Sequence, residues 1–217
     1  MKKPYLVATR NPGKLSELRD IFASHDIRVI DLIEAGLPEA SDEDSIESWD
    51  TFEENALAKA QYFYRRSGLP TFADDSGLAV DALHGRPGVR SKRFSGRADL
   101  TGKSLDAANN ATLLAQLRRT NALPAPASFI CAAAFADGER AIVRTGSTAG
   151  VIVQQPRGTS GFGYDPHFLS DELEQTFGEA SAQDKLRVGH RGRAFRALLA
   201  VLSRESDGTL PEGRGSD

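Results

Sequence analysis

The run Phe72-Ala73-Asp74-Asp75-Ser76-Gly77-Leu78 is the most informative part of this sequence. An apolar run leads into two adjacent carboxylates, and a small hydroxyl and a glycine follow, so we expect a strand that ends in a turn at the acid pair. Adjacent acids repel each other, which favours a nearby cation. Hard oxygen ligands of this kind suit Mg²⁺ or Mn²⁺, which in turn suit phosphate chemistry. A solvated turn is the competing interpretation, because Asp, Ser and Gly are common turn residues.

The composition is that of an ordinary globular protein. The chain has 217 residues, of which 40% are hydrophobic and 26% are charged, enough for a substantial core. Its net charge of -3 offers no general attraction to nucleic acid or to an anionic membrane, so we expect neither as a partner. The single cysteine, Cys131, lies in an apolar run and is expected in the core. No apolar stretch approaches the roughly 20 residues that span a bilayer, and no signal peptide is evident, which predicts a cytoplasmic protein.

Helices and strands alternate in the first half of the chain. Apolar residues at helical spacing predict a helix over residues 13–24. A capping box at Thr51 and Glu54 opens a second helix that stops at Gly68, because the Thr51 hydroxyl can accept from the Glu54 amide while Glu54 reaches back to the Thr51 amide. Short strands are predicted over residues 5–8, 27–30, 71–74 and 78–83, and an acidic surface loop over residues 38–50.

Strands follow one another in the second half. A helix is predicted over residues 104–119, and Asp137-Gly138 marks a hairpin between strands at 128–136 and 140–153. A strand-like segment at 164–169 and a helix from about Gly192 follow. We therefore predict one mixed α/β domain over residues 1–204 and a disordered tail over 205–217.

The loop after the first strand is a candidate phosphate site. It consists of Thr9-Arg10-Asn11-Pro12-Gly13-Lys14 and precedes a helix, whose N-terminal amides and dipole favour an anion. Lys14 adds a mobile positive charge. The spacing of a Walker P-loop is absent, and an ordinary strand-to-helix connection is the alternative.

Two more clusters provide positive charge. The basic loop at residues 86–97 contains Arg93 among four other Lys and Arg residues, and it either grips phosphates or forms a solvated face. Lys59 follows Asn55 by about one helical turn, so it faces either the same cleft or solvent.

The third motif, Gly161-Phe162-Gly163-Tyr164-Asp165-Pro166, brings an aromatic ring between glycines. Phe162 is a candidate for stacking on a flat ligand and Asp165 for accepting hydrogen bonds from ring nitrogens, although a turn whose Phe joins the core is the alternative. Lys185 and the pair His190-Arg191 supply donors for a carbonyl or a phosphate oxygen, or form a surface basic patch. No Cys/His spacing indicates a zinc site.

Five motifs together resemble the non-canonical purine nucleoside triphosphate pyrophosphatases, the inosine/xanthosine triphosphatase or Ham1-like family. They are Thr9-Arg10-Asn11-Pro12-Gly13-Lys14, Thr51-Phe52-Glu53-Glu54-Asn55-Ala56, Ala73-Asp74-Asp75-Ser76-Gly77-Leu78, Gly161-Phe162-Gly163-Tyr164-Asp165-Pro166 and His190-Arg191-Gly192. The resemblance runs from Thr9 to about Ala200. It implies an elongated, mixed-sheet, two-lobed α/β fold with a central substrate cleft, and a homodimer. It also implies Mg²⁺-dependent hydrolysis of dITP, ITP, XTP and dXTP to the monophosphate and pyrophosphate, with Mn²⁺ as a substitute metal, which would cleanse the nucleotide pool.

The resemblance also implies roles for individual residues. Asp75 matches the proton acceptor and metal ligand, and Glu47 the second metal-binding acid, while Asp74, Lys59 and Arg93 are additional candidates. Substrate contacts are implied for a larger set, namely Thr9, Arg10, Asn11, Pro12, Gly13, Lys14, Ser76, Phe162, Gly163, Tyr164, Asp165, Lys185, His190 and Arg191.

The sequence departs from the family pattern at Arg10, where a small residue is usual, and at Gly189, where a serine normally precedes the His-Arg pair. Two other functions stay open at this point: a pyrophosphatase that prefers another base, and a module that binds a nucleotide without hydrolysing it. A nucleic-acid-binding protein is disfavoured by the negative net charge.

Overall fold

The strands of the described part of this chain form a single mixed sheet. A computed structural model describes residues 4–206. The strands are β1 (Tyr5–Val7), β2 (Val29–Ile30), β3 (Thr71–Val80), β4 (Ala125–Ala136), β5 (Ala141–Ile152) and β6 (Phe168–Ser170). The helices are α1 (Pro12–Ala23), α2 (Phe52–Ser67), α3 (Gly102–Arg119), α4 (Ala182–Val188) and α5 (His190–Ser206).

The six strands lie in the order β2-β1-β3-β4-β5-β6. The pairs that involve β1 are parallel, and the pairs from β3 to β6 are antiparallel. The hairpin predicted at Asp137-Gly138 connects β4 and β5 and is confirmed, as is the mixed α/β class.

Three apolar clusters pack around this sheet. Helices α1 and α5 cover one face, where Phe72 meets Phe195, and helix α2 covers the other, where Ala60 packs near Ala73. The third cluster lies further along the long strands, where Leu78 of β3 packs with residues of α3. Phe72 and Ala73 of β3 therefore belong to the clusters on the two faces of the sheet, and Leu78 belongs to the third cluster. The acid pair lies between these packed parts of the strand.

The predicted turn at the acid pair is wrong. Strand β3 continues through Asp74-Asp75-Ser76-Gly77 to Val80, and the separate strand expected at 78–83 does not form. Gly77 allows a close approach instead: a Cβ there would lie 2.3 Å from the Gly88 carbonyl oxygen and 2.4 Å from Ser91 Oγ. The short 3-10 segment at Gly88–Arg93 packs directly on the strand at this point.

Other boundaries differ by smaller amounts. Strand β2 covers only two of the four residues predicted, and helix α4, which the sequence analysis missed, precedes an α5 that begins at His190. The segment predicted as strand-like at 164–169 begins with a 3-10 turn. At the start of α2 the Thr51 hydroxyl accepts from the Glu54 amide as expected, but it donates to the Glu54 carboxylate, which does not reach the Thr51 amide.

The predicted domain limits stay predictions. Helix α5 extends to Ser206, and the rest of the predicted tail lies outside the described residues. Within residues 4–206, no helix has the length and apolar character required to cross a membrane.

Candidate active site

The two adjacent acids of β3 point to opposite faces of the sheet. Successive side chains alternate along a strand. Asp74 therefore faces α1 and α5, where Lys14 and Arg191 meet it, and Asp75 faces α2, where Asn55 meets it. The sequence predicts a cation beside the acid pair. In the structure the two carboxylates instead lie in separate environments with different partners.

Asp74 is a fully buried anchor for positive charge. Its Oδ2 lies 3.1 Å from Lys14 Nζ and accepts from Arg191 Nε at 3.1 Å, with Cys131 Sγ at 3.9 Å. Burial alone would raise the pKa of Asp74. The charges of Lys14 and Arg191 outweigh burial and hold this pKa below its ordinary value. Asp74 is therefore ionised and holds two cations in place.

Asp75 has the opposite electrostatic character. Asn55 Nδ2 donates to its Oδ2 at 2.9 Å, and the Ser76 amide donates to its Oδ1 at 2.9 Å, which fixes the carboxylate plane. Burial raises the pKa of Asp75, and the nearby Glu47 carboxylate adds to the rise, although Lys14 opposes both. A buried carboxylate with a raised pKa is a better proton acceptor than an ordinary aspartate.

The loop between β1 and α1 delivers Lys14 to the acids. Asn11 is the N-cap of α1, and its Oδ1 accepts from the Lys14 amide at 3.0 Å, while Pro12 begins the helix. One amide of this N-terminus is thus already occupied by a side chain. The positive group that faces the acids is Lys14 Nζ.

Lys59 faces the same site from α2, which confirms the cleft-facing alternative. Its Nζ donates to the Asp74 carbonyl oxygen at 2.8 Å and forms a short ion pair with Glu47. Arg93, from the basic loop, donates to the Glu47 carbonyl oxygen at 3.1 Å. The rest of that loop divides: Lys92 lines the cavity described below, whereas Arg97 pairs with Asp99.

The Phe162 loop is built around a buried Asp165. Asp165 Oδ2 accepts from the Phe162 amide at 2.8 Å and pairs with Lys185 Nζ at 2.5 Å. Gly161 has φ +74°, and a Cβ there would lie 2.0 Å from this same oxygen, so only glycine fits. Asp165 holds the loop and Lys185 in place; its predicted contact with a base stays a prediction.

The Phe162 ring lies between α1 and two cations. A Cβ on Gly13 would be 2.5 Å from the ring, so the ring rests on the start of α1. Lys185 Nζ is 4.9 Å, and the Arg191 guanidinium carbon 5.8 Å, from the ring centroid. Both distances are within the range of cation–π contacts.

Glu17 links those two cations. Its carboxylate pairs with Lys185 Nζ at 2.7 Å and makes a short contact with Arg191 Nη1. Burial would raise the pKa of Glu17, but Arg191 and Lys185 lower it to about 2. Arg191 also donates to Ser76 Oγ at 2.8 Å, so its guanidinium has a carboxylate or hydroxyl partner at every nitrogen.

His190 is held as a neutral ring. It stacks on Phe129 with centroids 4.7 Å apart and planes within 10°. Burial, together with the Arg191 charge, lowers the pKa of His190 well below its ordinary value. Its Nδ1 is buried away from the cavity surface and has no hydrogen-bond partner among the described residues.

One cavity of about 270 Å³ brings most of the predicted residues together. Asp75 and Phe162 both line it, and a neighbouring cavity of about 250 Å³ shares Phe162, Lys185, His190 and Arg191 with it. The predicted residues that line the first cavity are Thr9, Arg10, Asn11, Lys14, Glu47, Lys59, Asp75, Ser76, Arg93, Phe162, Gly163, Tyr164, Asp165, Lys185, His190 and Arg191. Gly13 lines the second cavity, and neither Pro12 nor Asp74 lines either. Tyr164 is largely buried, and its hydroxyl donates to the Ser91 carbonyl oxygen.

The carboxylates that line the cavity suit a cation that takes most of its ligands from the substrate and from water. Among residues 4–206, no group of three or more His, Cys, Asp or Glu side chains could hold a metal ion. Asp75 and Glu47 nevertheless line one cavity and interact electrostatically. Mg²⁺ commonly binds to one or two carboxylates and completes its shell with substrate phosphates and water.

Several residues of the site were not predicted from the sequence, among them Glu17, Asn55 and Glu43. Glu17 lies one helical turn after Lys14, on the same face of α1, and this spacing could have indicated that Glu17 belongs to the site. Asn55 belongs to the motif that opens α2, yet only the fold reveals its bond to Asp75. Glu43, which lines the cavity and pairs with Arg10, lies in a loop without any periodic pattern.

Comparison with known proteins identifies the family of the chain. The model of the Ham1 family matches residues 5–201. The chain is 48% identical to the dITP/XTP pyrophosphatase of Frankia alni, covering 91% of this chain and 96% of the relative, and 43% identical to that of Mycolicibacterium paratuberculosis, covering 98% and 99%. The structure of a HAM1 protein from Coxiella burnetii superposes with a TM-score of 0.79 at 33% identity, covering 94% of this chain and all of that one. A nucleoside-triphosphatase, dITP/XTP pyrophosphatase, from Mycobacterium abscessus gives 0.67 at 40% identity, covering 91% and 97%. Since the family model and these relatives extend over nearly all of the sequence, the chain belongs to the Ham1 family.

Proposed function

We propose that this protein hydrolyses non-canonical purine nucleoside triphosphates, namely dITP or ITP and XTP or dXTP, to the monophosphate and pyrophosphate. The observation that carries the proposal is that Asp75 and Phe162 line one cavity together with two lysines, Lys14 of α1 and Lys59 of α2. The dITP/XTP pyrophosphatase relatives described above support the same substrate class. In a cell this reaction cleanses the nucleotide pool.

The triphosphate lies at the end of the cavity that contains Lys14 and Lys59. A nucleoside triphosphate carries about four negative charges, and fixed positive groups stabilise such charge during phosphoryl transfer. Lys92 and Arg93 line the same cavity and add to this positive field. The buried Asp74 keeps Lys14 directed toward this end.

Asp75 acts as the proton acceptor. Water attacks the α-phosphorus and gives a proton to Asp75, while the bond from the α-phosphorus to the bridging oxygen breaks and pyrophosphate leaves. The raised pKa of Asp75 suits this task, because a general base works best when its pKa approaches the working pH. Asn55 and the Ser76 amide hold the carboxylate in one orientation.

Mg²⁺, or Mn²⁺ in its place, completes the proposed site. Asp75 and Glu47 would hold the ion together with phosphate oxygens. When bound, it supplies positive charge to the phosphates. Lys59 pairs with Glu47 in the structure, which keeps that carboxylate ionised and at the cavity wall.

The base lies against Phe162 at the other end. Lys185, Arg191 and neutral His190 surround this end, and the two cations can only donate. Hypoxanthine and xanthine present a carbonyl oxygen at position 6, which accepts from such donors. Adenine presents an amino group there, and a donor that faces a donor is rejected strongly in a closed site.

A product-resolved assay tests the proposal. The protein is incubated with Mg²⁺ and, separately, dITP, ITP, XTP, dATP and a modified pyrimidine triphosphate, and phosphorus NMR identifies the products. We expect pyrophosphate plus monophosphate from the first three substrates and little turnover of dATP. Orthophosphate release, turnover of the pyrimidine alone, or a bound triphosphate that survives for hours with metal present would each overturn the proposal.

We also propose a homodimer, which rests on the resemblance alone, and a cytoplasmic location, which rests on the sequence analysis. Sedimentation velocity at micromolar concentration measures the first. We expect the mass of two chains.

A further inference from the structure

One carboxylate, that of Glu43, connects the phosphate loop to the loop that carries Glu47. Arg10, between β1 and α1, grips Glu43 with two nitrogens: Nε lies 2.6 Å from Oε2, and Nη2 lies 2.7 Å from Oε1. Arg10 Nη2 also donates to the Leu37 carbonyl oxygen at 3.2 Å. Such a bidentate fork fixes both distance and orientation, which a single contact does not.

The same carboxylate is held from α2 and from its own loop. Arg66 Nη1 donates to Glu43 Oε1 at 2.8 Å, and its Nη2 donates to the Pro38 carbonyl oxygen at 3.1 Å. The Ala40 amide donates to Oε1 at 3.1 Å. Glu43 is therefore the point where the loop at residues 37–43 is fastened to two separate elements.

This loop leads directly to Glu47. Only the 3-10 turn at Glu43–Ser45 is regular between β2 and α2 in the described structure, so side-chain contacts determine where the loop lies. Beyond that turn, Arg93 holds the Glu47 carbonyl oxygen, and Asn55 holds the backbone of Trp49 at both its amide and carbonyl. The part after Glu47 thus has its own attachments. The part before it is held by Glu43 and by the hydroxyl of Tyr62 on α2, which donates to Asp42 Oδ1 at 2.7 Å; among these contacts, only those of Glu43 reach the phosphate loop.

We infer that Arg10 is a positioning residue, whose fork on Glu43 holds this loop, and through it the Glu47 carboxylate, over the phosphate end of the cavity. The inference rests on the proposed function, since Glu47 has a task only if phosphate and metal bind there. Arg10 was predicted to touch substrate. In the structure two of its guanidinium nitrogens are committed to Glu43, so its effect on the reaction passes through the loop.

Paired variants and a readout without turnover test this assignment. In Arg10→Gln and in Glu43→Gln we expect faster hydrogen–deuterium exchange in residues 38–46, with residues 52–67 of α2 unchanged. The Mg²⁺ concentration for half-maximal activity should rise about tenfold or more, as is typical when a partner that orients a metal ligand is removed. The double variant should be no worse than the stronger single variant, because both changes break one pair. Saturating Mg²⁺ should restore most of kcat.

Arg10→Lys and Arg19→Gln are the matched controls. Lysine keeps the charge without the fork and should recover part of the metal affinity. Arg19, on α1, pairs with Asp31 and Glu34 at the start of the same connection between β2 and α2, outside residues 38–46. Its variant should match the parent protein in both readouts, which separates the Glu43 fork from a general loosening of this connection.

A higher KM for the nucleotide in Arg10→Gln, with unchanged exchange, unchanged Mg²⁺ dependence and a silent Glu43→Gln, would overturn the inference and make Arg10 a direct substrate contact. Failure of the proposed function is distinguishable, because the exchange experiment needs neither substrate nor turnover. An inactive parent protein whose exchange still responds to both substitutions would refute the reaction and keep the fastening role.

Discussion

Replacing Glu17 with glutamine should destabilise the protein by an amount that depends on pH. Lys185 and Arg191 lower the pKa of the Glu17 carboxyl from its ordinary value of 4.5 to about 2. One pKa unit corresponds to about 1.4 kcal/mol, so ionised Glu17 contributes about 3 kcal/mol to the free energy of unfolding at pH 7. Glutamine keeps the shape of the side chain but removes this contribution.

The sign of the pH dependence follows from the direction of the change. The folded pKa is lower than the unfolded one, so between pH 4.5 and 2 the unfolded chain binds a proton that the folded chain does not. The contribution of Glu17 is therefore complete above about pH 5.5, falls by about 1 kcal/mol at pH 4, and falls by about 2 kcal/mol at pH 3.

Urea unfolding followed by circular dichroism at pH 7, 5 and 4 measures the difference between the parent protein and Glu17→Gln. Glu172→Gln is the control, because Glu172 pairs with Arg193 where both side chains are more than a third exposed, and such pairs contribute at most about 1 kcal/mol. A loss in Glu17→Gln that does not change between pH 7 and pH 4, or that equals the control, would refute the assignment of an ionised carboxylate shared by two cations.

Two further predictions concern the reacting end and the base end. Asp75→Asn should lower kcat by roughly 100-fold or more, measured by pyrophosphate release. Both oxygens of Asp75 accept from fixed N–H donors, so the amide nitrogen of the variant faces a donor, and circular dichroism is used to verify that the variant is folded. Near-normal turnover would remove Asp75 from the reaction. Phe162→Ala should raise KM for ITP about tenfold or more, because stacking on an aromatic ring contributes about 1–3 kcal/mol per base, and its melting temperature should change little, since the ring is only partly buried. An unchanged KM with a large loss of stability would make Phe162 a core residue.

Elements with a strong local pattern were predictable from sequence. Helix α2 begins at the Thr51 cap and ends at Gly68, which has φ +65°, and the Asp137-Gly138 hairpin joins two twelve-residue strands. In these cases the conformational preferences of the capping and turn residues determine where the helix or strand begins and ends. The cleft-lining residues were identified from motifs and from the family resemblance, and one cavity brings sixteen of them together.

The path of β3 was not predictable in the same way. Asp75-Ser76-Gly77 has the composition of a turn, yet ten residue pairs with β4 keep the chain extended through it. The glycine is required by the Gly88 carbonyl oxygen and the Ser91 side chain, which come from a later segment of the chain. Local propensity is therefore overridden by contacts that no short window of sequence contains.

Contacts between charged residues that are far apart along the chain could not be predicted from the sequence either. The bond from Arg191 to Asp74 joins residues 117 positions apart, and that from Arg191 to Glu17 joins residues 174 apart. Each of these residues alone resembles an ordinary surface charge. Only the packing of α1 and α5 on the same face of the sheet makes them partners.

The alternation of β3 explains how adjacent aspartates acquire different tasks. Asp74 points to the face where Lys14 and Arg191 lie, so it is ionised and connects the proposed phosphate end to the proposed base end through two buried ion pairs. Asp75, one residue later, points to the other face, where burial and Glu47 raise its pKa. If the chain turned at this point, as its composition suggests, both acids would share one solvent-exposed environment and neither would be specialised. The continuous strand is therefore what separates the charge anchor from the proposed proton acceptor, because environments that push two pKa values apart are what assign such roles.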